Sequence, residues 1–422
     1  MLARMSRENR AAPPPRSSPR LGAWAATTAL AAAGWLVACG DGAGGGGYLD
    51  WDGRAAFDLP KPRLPALHRA SGTLLGLTSD SQADTVTVID LAAHQVLATL
   101  PIGRHPVEVD GPFHLGFDRA SRLLFVGLSY PPGAGASHGH GESTRPGWVQ
   151  QWRLSPFELV AEREVANNPT DLRLSEDGHR LVVGHFDLVN AAKGASLAAK
   201  RASLSVFPLA GGVLGPAVEV PACVAPHGIA LRRPDGATAW VACFGEDALA
   251  VIGLAGTPTM TLVPMPEGQG PPGAPIVGPS ALRLSPAGDR LAVTTNVTLD
   301  VRFFDVAQQA FVGPKVPLLA TPLWPAWSAQ GDRLWVPTQH ADAVKVVAAG
   351  TGAILAERTF LSTECRRPHE AVVADDGKTV WLLCEGNGKT AGKVLTLDPQ
   401  TLATRAEVAV GVAPVHLLVV TP

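Results

Sequence analysis

Histidine is the residue type whose placement in this 422-residue chain most suggests chemistry, because an imidazole can exchange a proton or ligate a metal near neutral pH. Of the twelve histidines, His114, His227, His369 and His416 follow Pro112, Pro226, Pro368 and Pro414 by one or two residues. Asp171 and Glu370 stand two residues after Pro169 and Pro368, and His185 and His340 each follow a short apolar run. Imidazoles and carboxylates gathered in this way could bind an anion when protonated. They could also hold Cu, Zn or Fe, with His114, His227, His369 and His416 as ligands. The same repetition also reads as architecture, a histidine bonding to neighbouring loops. Trp324, two residues after Pro322, offers a flat surface for a bound ring or a cap. No Gly-x-Ser-x-Gly, His-Glu-x-x-His or glycine-rich phosphate loop occurs, so no catalytic residue is assigned.

Cysteines carry a second pattern. Cys223 and Cys365 both stand three residues before a proline, Pro226 and Pro368, and Cys243 and Cys384 occupy matching places after it. In an exported chain such a set of four reads as two disulfides within repeats, Cys223 to Cys243 and Cys365 to Cys384. A metal site is the alternative. No Cys-x-x-Cys-His is present to attach a haem.

The elements that position these residues follow from an internal repeat. Pro169 to Gly178, Pro226 to Gly236, Pro279 to Gly288, Pro322 to Gly331 and Pro368 to Gly377 each run from a proline through an apolar stretch to a polar turn closed by glycine. Pro112 opens a further copy with Ser121 where the glycine should be. After each turn come a short apolar run and an alternating stretch such as Val301-Arg-Phe-Phe-Asp305, the period-two signal of a strand. Four strands per unit at this spacing predict an all-β, seven-bladed β-propeller of four antiparallel strands per blade. Pro414 to Val420 is a first strand with nothing after it, and the segment near Thr73 lacks one. The C-terminal strand is therefore expected to complete blade 1 and leave no open edge. In such a ring the post-proline residues lie at one mouth of the central channel, which becomes the candidate binding face: His114, Asp171, His185, His227, Trp324, His340, His369, Glu370 and His416. Two insertions, Tyr130 to Gly147 and Asp187 to Arg201, extend above it. Phe125, Trp240, Trp335 and Trp381 share one repeat position and read as a packing layer between blades.

The repeat resembles the YVTN-type seven-bladed propeller family, through Ser285-Pro286-Ala287-Gly288 with Val293-Thr294-Thr295-Asn296, and through Val86 to Asp90. The resemblance spans about residues 70 to 420 and implies a scaffold or binding protein. Seven-bladed lactonases share the architecture and work with acids, histidines and arginines near the mouth, a group that Glu370, His369, Arg366, Arg367 and His227 could imitate.

The first 38 residues read as an export signal. Five arginines precede an apolar run from Leu21 to Trp35, and Leu36-Val37-Ala38-Cys39 resembles the bacterial lipoprotein box, with Cys39 as the lipidated residue. Residues 39–69 are then a Gly/Pro-rich tether and 70–422 the propeller. The whole chain carries a net charge of −2; without the signal it keeps 30 basic and 36 acidic residues, a net charge of −6, which offers no footprint for nucleic acid. The chain is expected to be a monomer, anchored by Cys39 to the bacterial membrane; Gly40 rather than Asp after Cys39 favours the outer one. The leading expectation is an envelope scaffold that binds a partner protein or small ligand. The alternative is a periplasmic metal-binding redox protein or lactonase-like hydrolase.

Overall fold

Proline opens the innermost strand in six of the seven sheets, where its missing N–H and fixed φ suit a strand's first residue. The structure is a computed structural model that describes residues 74–421 apart from 106–107, 132–140 and 155. The expected signal (residues 1–38), Cys39 and the expected tether (39–69) lie outside the described residues. Seven antiparallel sheets form the blades of a β-propeller, each with four strands in a simple meander. Blade 1 holds Leu75–Asp80, Thr85–Asp90 and Gln95–Pro101, and its innermost strand is the C-terminal Pro414–Val420, paired from Leu75↔Val420 to Asp80↔Pro414. The seam therefore closes as the lone C-terminal repeat implied. Blades 2 to 7 begin at Pro112, Pro169, Pro226, Pro279, Ala326 and Pro368, and blade 3 adds the short strand Val213–Leu214.

Inner strands are buried on both faces because neighbouring blades cover them, whereas outer strands such as Ile354–Thr359 alternate with solvent. The repeated aromatic position supplies the contact between blades. Phe125 of blade 2 packs with Leu172, Leu181 and Phe207 of blade 3, and Trp240 of blade 4 with Leu282, Leu291 and Phe304 of blade 5. Glycines in the turns after the inner strands take left-handed φ values of 71°, 75°, 71° and 68° at Gly178, Gly288, Gly331 and Gly377. Blade 2, which lacks that glycine, puts Arg122 at φ 59° instead.

Both disulfides form between the cysteines expected, with Cα–Cα distances of 5.7 and 5.3 Å. Their placement differs from the reading of two links within repeats. Cys223 lies in the last strand of blade 3, Val218–Val224, and Cys365 in the connection from blade 6, so each bond ties a blade to what precedes it. A cysteine three residues before the opening proline is still in the previous blade's territory.

Asp80 sits at the closing seam and accepts hydroxyl hydrogens from Thr78, Thr85 and Thr87 at 2.8, 2.9 and 2.6 Å. Gly411 is required beside it, since an added Cβ would meet the Asp80 side chain at 2.4 Å. Burial pushes the Asp80 carboxyl from 3.8 up to about 6, and the three hydroxyls offset only part of that rise. The folded pKa exceeds the unfolded one, so the contribution is fully present below pH 3.8 and is lost as pH rises through 6. About 2 pH units at roughly 1.4 kcal/mol each give on the order of 3 kcal/mol. Asp80→Asn is expected to gain that much on the wild type between pH 4 and 7.5, measured by urea unfolding at both values. A difference that stays constant with pH contradicts the assignment.

Candidate functional site

The proline-led strands do more than start blades. Their pairing with the second strand shifts register between Pro112 and Leu115, Pro169 and Leu172, Pro226 and Ile229, and Pro279 and Leu282, with a shorter shift after Pro368. Such a bulge re-aims a side chain and leaves backbone groups outside the ladder. Here the freed amide three residues after one proline is met by the side chain two residues after the proline of the preceding blade. Leu115 N–H donates to His416 Nδ1 at 3.3 Å, Ile229 N–H to Asp171 Oδ2 at 2.6 Å, and Leu417 N–H to Glu370 Oε2 at 2.7 Å. The second post-proline position thus calls for an acceptor, which explains why His and acids recur there.

Around the ring that position reads His416, His114, Asp171, Gly228, Ala281, Trp324 and Glu370 from blade 1 to blade 7. The two small residues leave a space that Trp324 fills from blade 6. A Cβ on Gly228 would lie 2.5 Å from the Ser280 carbonyl oxygen. Pro322 and Pro325 bracket Trp324 and shorten the inner strand of blade 6 to Ala326–Trp327. The Trp324 backbone bonds instead to blade 7, its N–H to the His369 carbonyl and its carbonyl to the Ala371 N–H, both at 3.1 Å. Its ring, 1% exposed, meets His114 edge-on at 4.6 Å and carries the Arg283 and Arg173 guanidinium groups at 4.8 and 5.4 Å from its centroid.

Charges are paired across this core. His114 Nδ1 lies 2.6 Å from Asp171 Oδ1, Arg173 Nε lies 3.0 Å from the same oxygen, and Arg283 pairs with Glu370. Burial lowers His114 to about 4 despite the neighbouring Asp171. The neutral ring then donates from Nδ1 and leaves Nε2 buried without a hydrogen-bond partner. Burial pushes Asp171 up, yet Arg173, His114 and Arg283 outweigh it and hold the carboxyl below its usual range. His416 is lowered by burial and by His114. Burial with Arg173 brings Arg283 to about 10, still charged at neutral pH, and burial raises Glu370 against the pull of Arg283.

A cleft of about 520 Å³ has Arg173, Arg283, Glu370 and His416 among its lining and extends to Pro286 and Asp375 in the turns after the inner strands. It therefore enters from the end opposite the prolines. The expected open mouth of histidines is corrected accordingly. His114, Asp171, His185, His227, Trp324, His369, Glu370 and His416 are all buried, and His340 alone of the nine is exposed. The bulges turn the side chains inward, and one tryptophan plugs the remaining space.

His114, Asp171, Trp324, Glu370 and His416 come together, with His227 alongside, 4.6 Å from Phe186 and 5.8 Å from Trp324 between ring centroids. His369 faces Glu385 at 3.4 Å, His185 bonds Ser205 Oγ at 2.8 Å, and His340 bonds Thr321 at 2.7 Å. The nitrogens of His114, His227, His369 and His416 form no three-ligand group. Of the lactonase-like set, Glu370 lines the channel cleft, whereas Arg366 and Arg367 do not, Arg366 lining a separate cleft of about 270 Å³. Arg173 and Arg283 hold the place expected for those arginines. Both stand four residues after a proline, on the axial side by alternation with the second position, which is the signal that would have found them. The Asp187 to Arg201 insertion forms two short helices, Leu188–Lys193 and Leu197–Lys200, and the Leu188 N–H donates to the Gly141 carbonyl of the other insertion.

The chain matches no known protein-family model and no curated protein. Solved structures share its fold. A putative 6-phosphogluconolactonase from Bacteroides uniformis aligns with TM-score 0.60 at 15% identity, over 82% of this chain and all of that one. The periplasmic gluconolactonase of Pseudomonas aeruginosa aligns with TM-score 0.58 at 21% identity, over 83% of this chain and all of that one. Apo AztD from Citrobacter koseri aligns with TM-score 0.52 at 16% identity, over 82% and 98%. At these identities the likeness is one of fold, and the architecture implied by the YVTN-type resemblance stands.

Proposed function

We propose that this chain is an exported lactonase-like hydrolase, held at the membrane through Cys39, whose site is the channel cleft. The observation that carries this reading is the Arg283 and Glu370 pair among the residues lining a cleft large enough for a sugar lactone. Two neighbours in fold bear lactonase names, which supports the same reaction class over a scaffold role. Glu370, its proton affinity raised by burial, accepts a proton from water as the water oxygen adds to the lactone carbonyl carbon. Arg283 and Arg173 stabilise the oxygen that becomes negative. The ring C–O bond then breaks, the leaving oxygen takes the proton back from Glu370, and a hydroxy acid results.

The test is hydrolysis of glucono-δ-lactone and of its 6-phosphate by the full chain in detergent, followed by acid release in a pH-stat against the spontaneous rate. Turnover of at least one is expected, with Arg283→Met lowering kcat/KM by about 10²-fold. No rate above the spontaneous one for either lactone, from protein with an intact β circular dichroism spectrum, overturns the proposal.

A further inference from the structure

At the junction of blades 1 and 2, His105, Glu108 and Asp110 each offer one ligand atom, and these three atoms lie within 4.8 Å of one another. They are the only group of this kind among the described residues, and none of them lines the channel cleft. Asp110 is fully buried. Its Oδ2 accepts the backbone N–H groups of Arg104 and, at 2.8 Å, His105, whereas its Oδ1 is buried with no hydrogen-bond partner. An orphaned buried carboxylate oxygen costs free energy unless something binds it.

Glu108 divides its oxygens in a complementary way. Oε2 pairs with Arg145 Nη1 at 2.6 Å, and Oε1 faces His105 Nε2 at 3.7 Å. Arg145 in turn lies over the Tyr130 ring at 4.4 Å, so it fixes one edge of Glu108 and leaves the other edge to the histidine. A third carboxylate adds negative charge. Asp84 Oδ1 accepts the N–H groups of Asp110 and Gly111, both at 2.9 Å, and no lysine or arginine among the described residues pairs with Asp84 or Asp110.

We propose that His105, Glu108 and Asp110 form a binding site for a divalent transition metal, separate from the channel. One imidazole and two carboxylates suit Zn²⁺ and its first-row neighbours. With bonds of about 2.0–2.2 Å, tetrahedral ligands stand roughly 3.4 Å apart. The 3.7 Å between His105 and Glu108 is already near that, and the full set closes by about 1 Å or so on binding. Three protein ligands leave the fourth position to water.

Zn²⁺ alone is the probe, titrated into the full chain in detergent against a chromophoric chelator. One site is expected, weakened more than about tenfold by His105→Gln, since even an outer-shell partner is worth that much. Asp110→Asn, which keeps an acceptor for the two amides, is expected to act likewise, and a metal-free thermal midpoint within a few degrees of wild type shows that each variant is folded. The paired variant His138→Gln with His140→Gln, which changes the His138-Gly-His140 sequence, is expected to keep the site. Absence of Zn²⁺ binding up to 100 µM Zn²⁺ (about 10⁻⁴ M, the weak end of biological divalent-cation sites), or binding that survives His105→Gln and is lost in the paired variant, overturns the proposal.

Discussion

Asp171→Ala is expected to cost roughly 3–5 kcal/mol of folding free energy, the range for removing one partner of a buried ion pair. Asp171 is completely buried and serves three partners on three blades: the His114 Nδ1–H of blade 2, the Ile229 N–H of blade 4, and Arg173 of its own strand. Alanine would strand two neutral donors in the core, each worth about 1–3 kcal/mol unmade. Arg173 loses less, because its side chain is 22% exposed and keeps contact with water in the cleft. Asp171→Asn should fall between the two, since its carbonyl can serve one donor while its amide faces the other. Urea unfolding at pH 7.5 measures both variants, and a loss below about 1 kcal/mol for Asp171→Ala would show that the tie between blades is not a source of stability.

The architecture was readable because its punctuation is chemical. Pro169, Pro226, Pro279 and Pro368 fix where inner strands begin, Gly178, Gly288 and Gly377 fix where they turn, and Pro414 to Val420 has no partner except the first blade. The aromatic layer was equally legible, since Phe125 and Trp240 repeat at one position and a propeller has one interface per blade. The site was legible only in part. The recurrence of His114, Asp171, Glu370 and His416 two residues after a proline marked them as axial. Whether they line an opening depends on how much volume the axis must fill. That volume is set by Gly228 and Ala281 against a single Trp324, a sum over blades that no local pattern carries. Arg173 and Arg283 stand at the fourth position after the proline, which is arginine in only two of the repeats and so lacks the recurrence that marks the second position. Period two places that position on the same side as the second.

Trp324→Ala tests whether the plug is what closes the channel. Deleting a buried tryptophan typically costs 3–5 kcal/mol, and the loss should lie at the upper end, because collapse is what reduces such costs and this axis cannot collapse. Gly228 is already in backbone contact with Ser280, and the inner strands are held by their own ladders and by the Asp171 and Glu370 bonds. The space left behind connects to the cleft that Arg173 and Arg283 line, so water enters rather than a void forming. Entry of water changes a second observable. Burial is the main cause that holds His114 near 4, and hydration relieves it. In Trp324→Ala the His114 pKa is therefore expected to climb toward its ordinary value of 6.5, with the Asp171 carboxylate now favouring the charged ring. Proton and nitrogen NMR of labelled histidine would follow this titration, and chemical denaturation would give the stability. A variant that loses less than about 1 kcal/mol, or whose His114 resonance still does not titrate above pH 5, would mean that the other rings of the core, not the tryptophan, keep water from the axis.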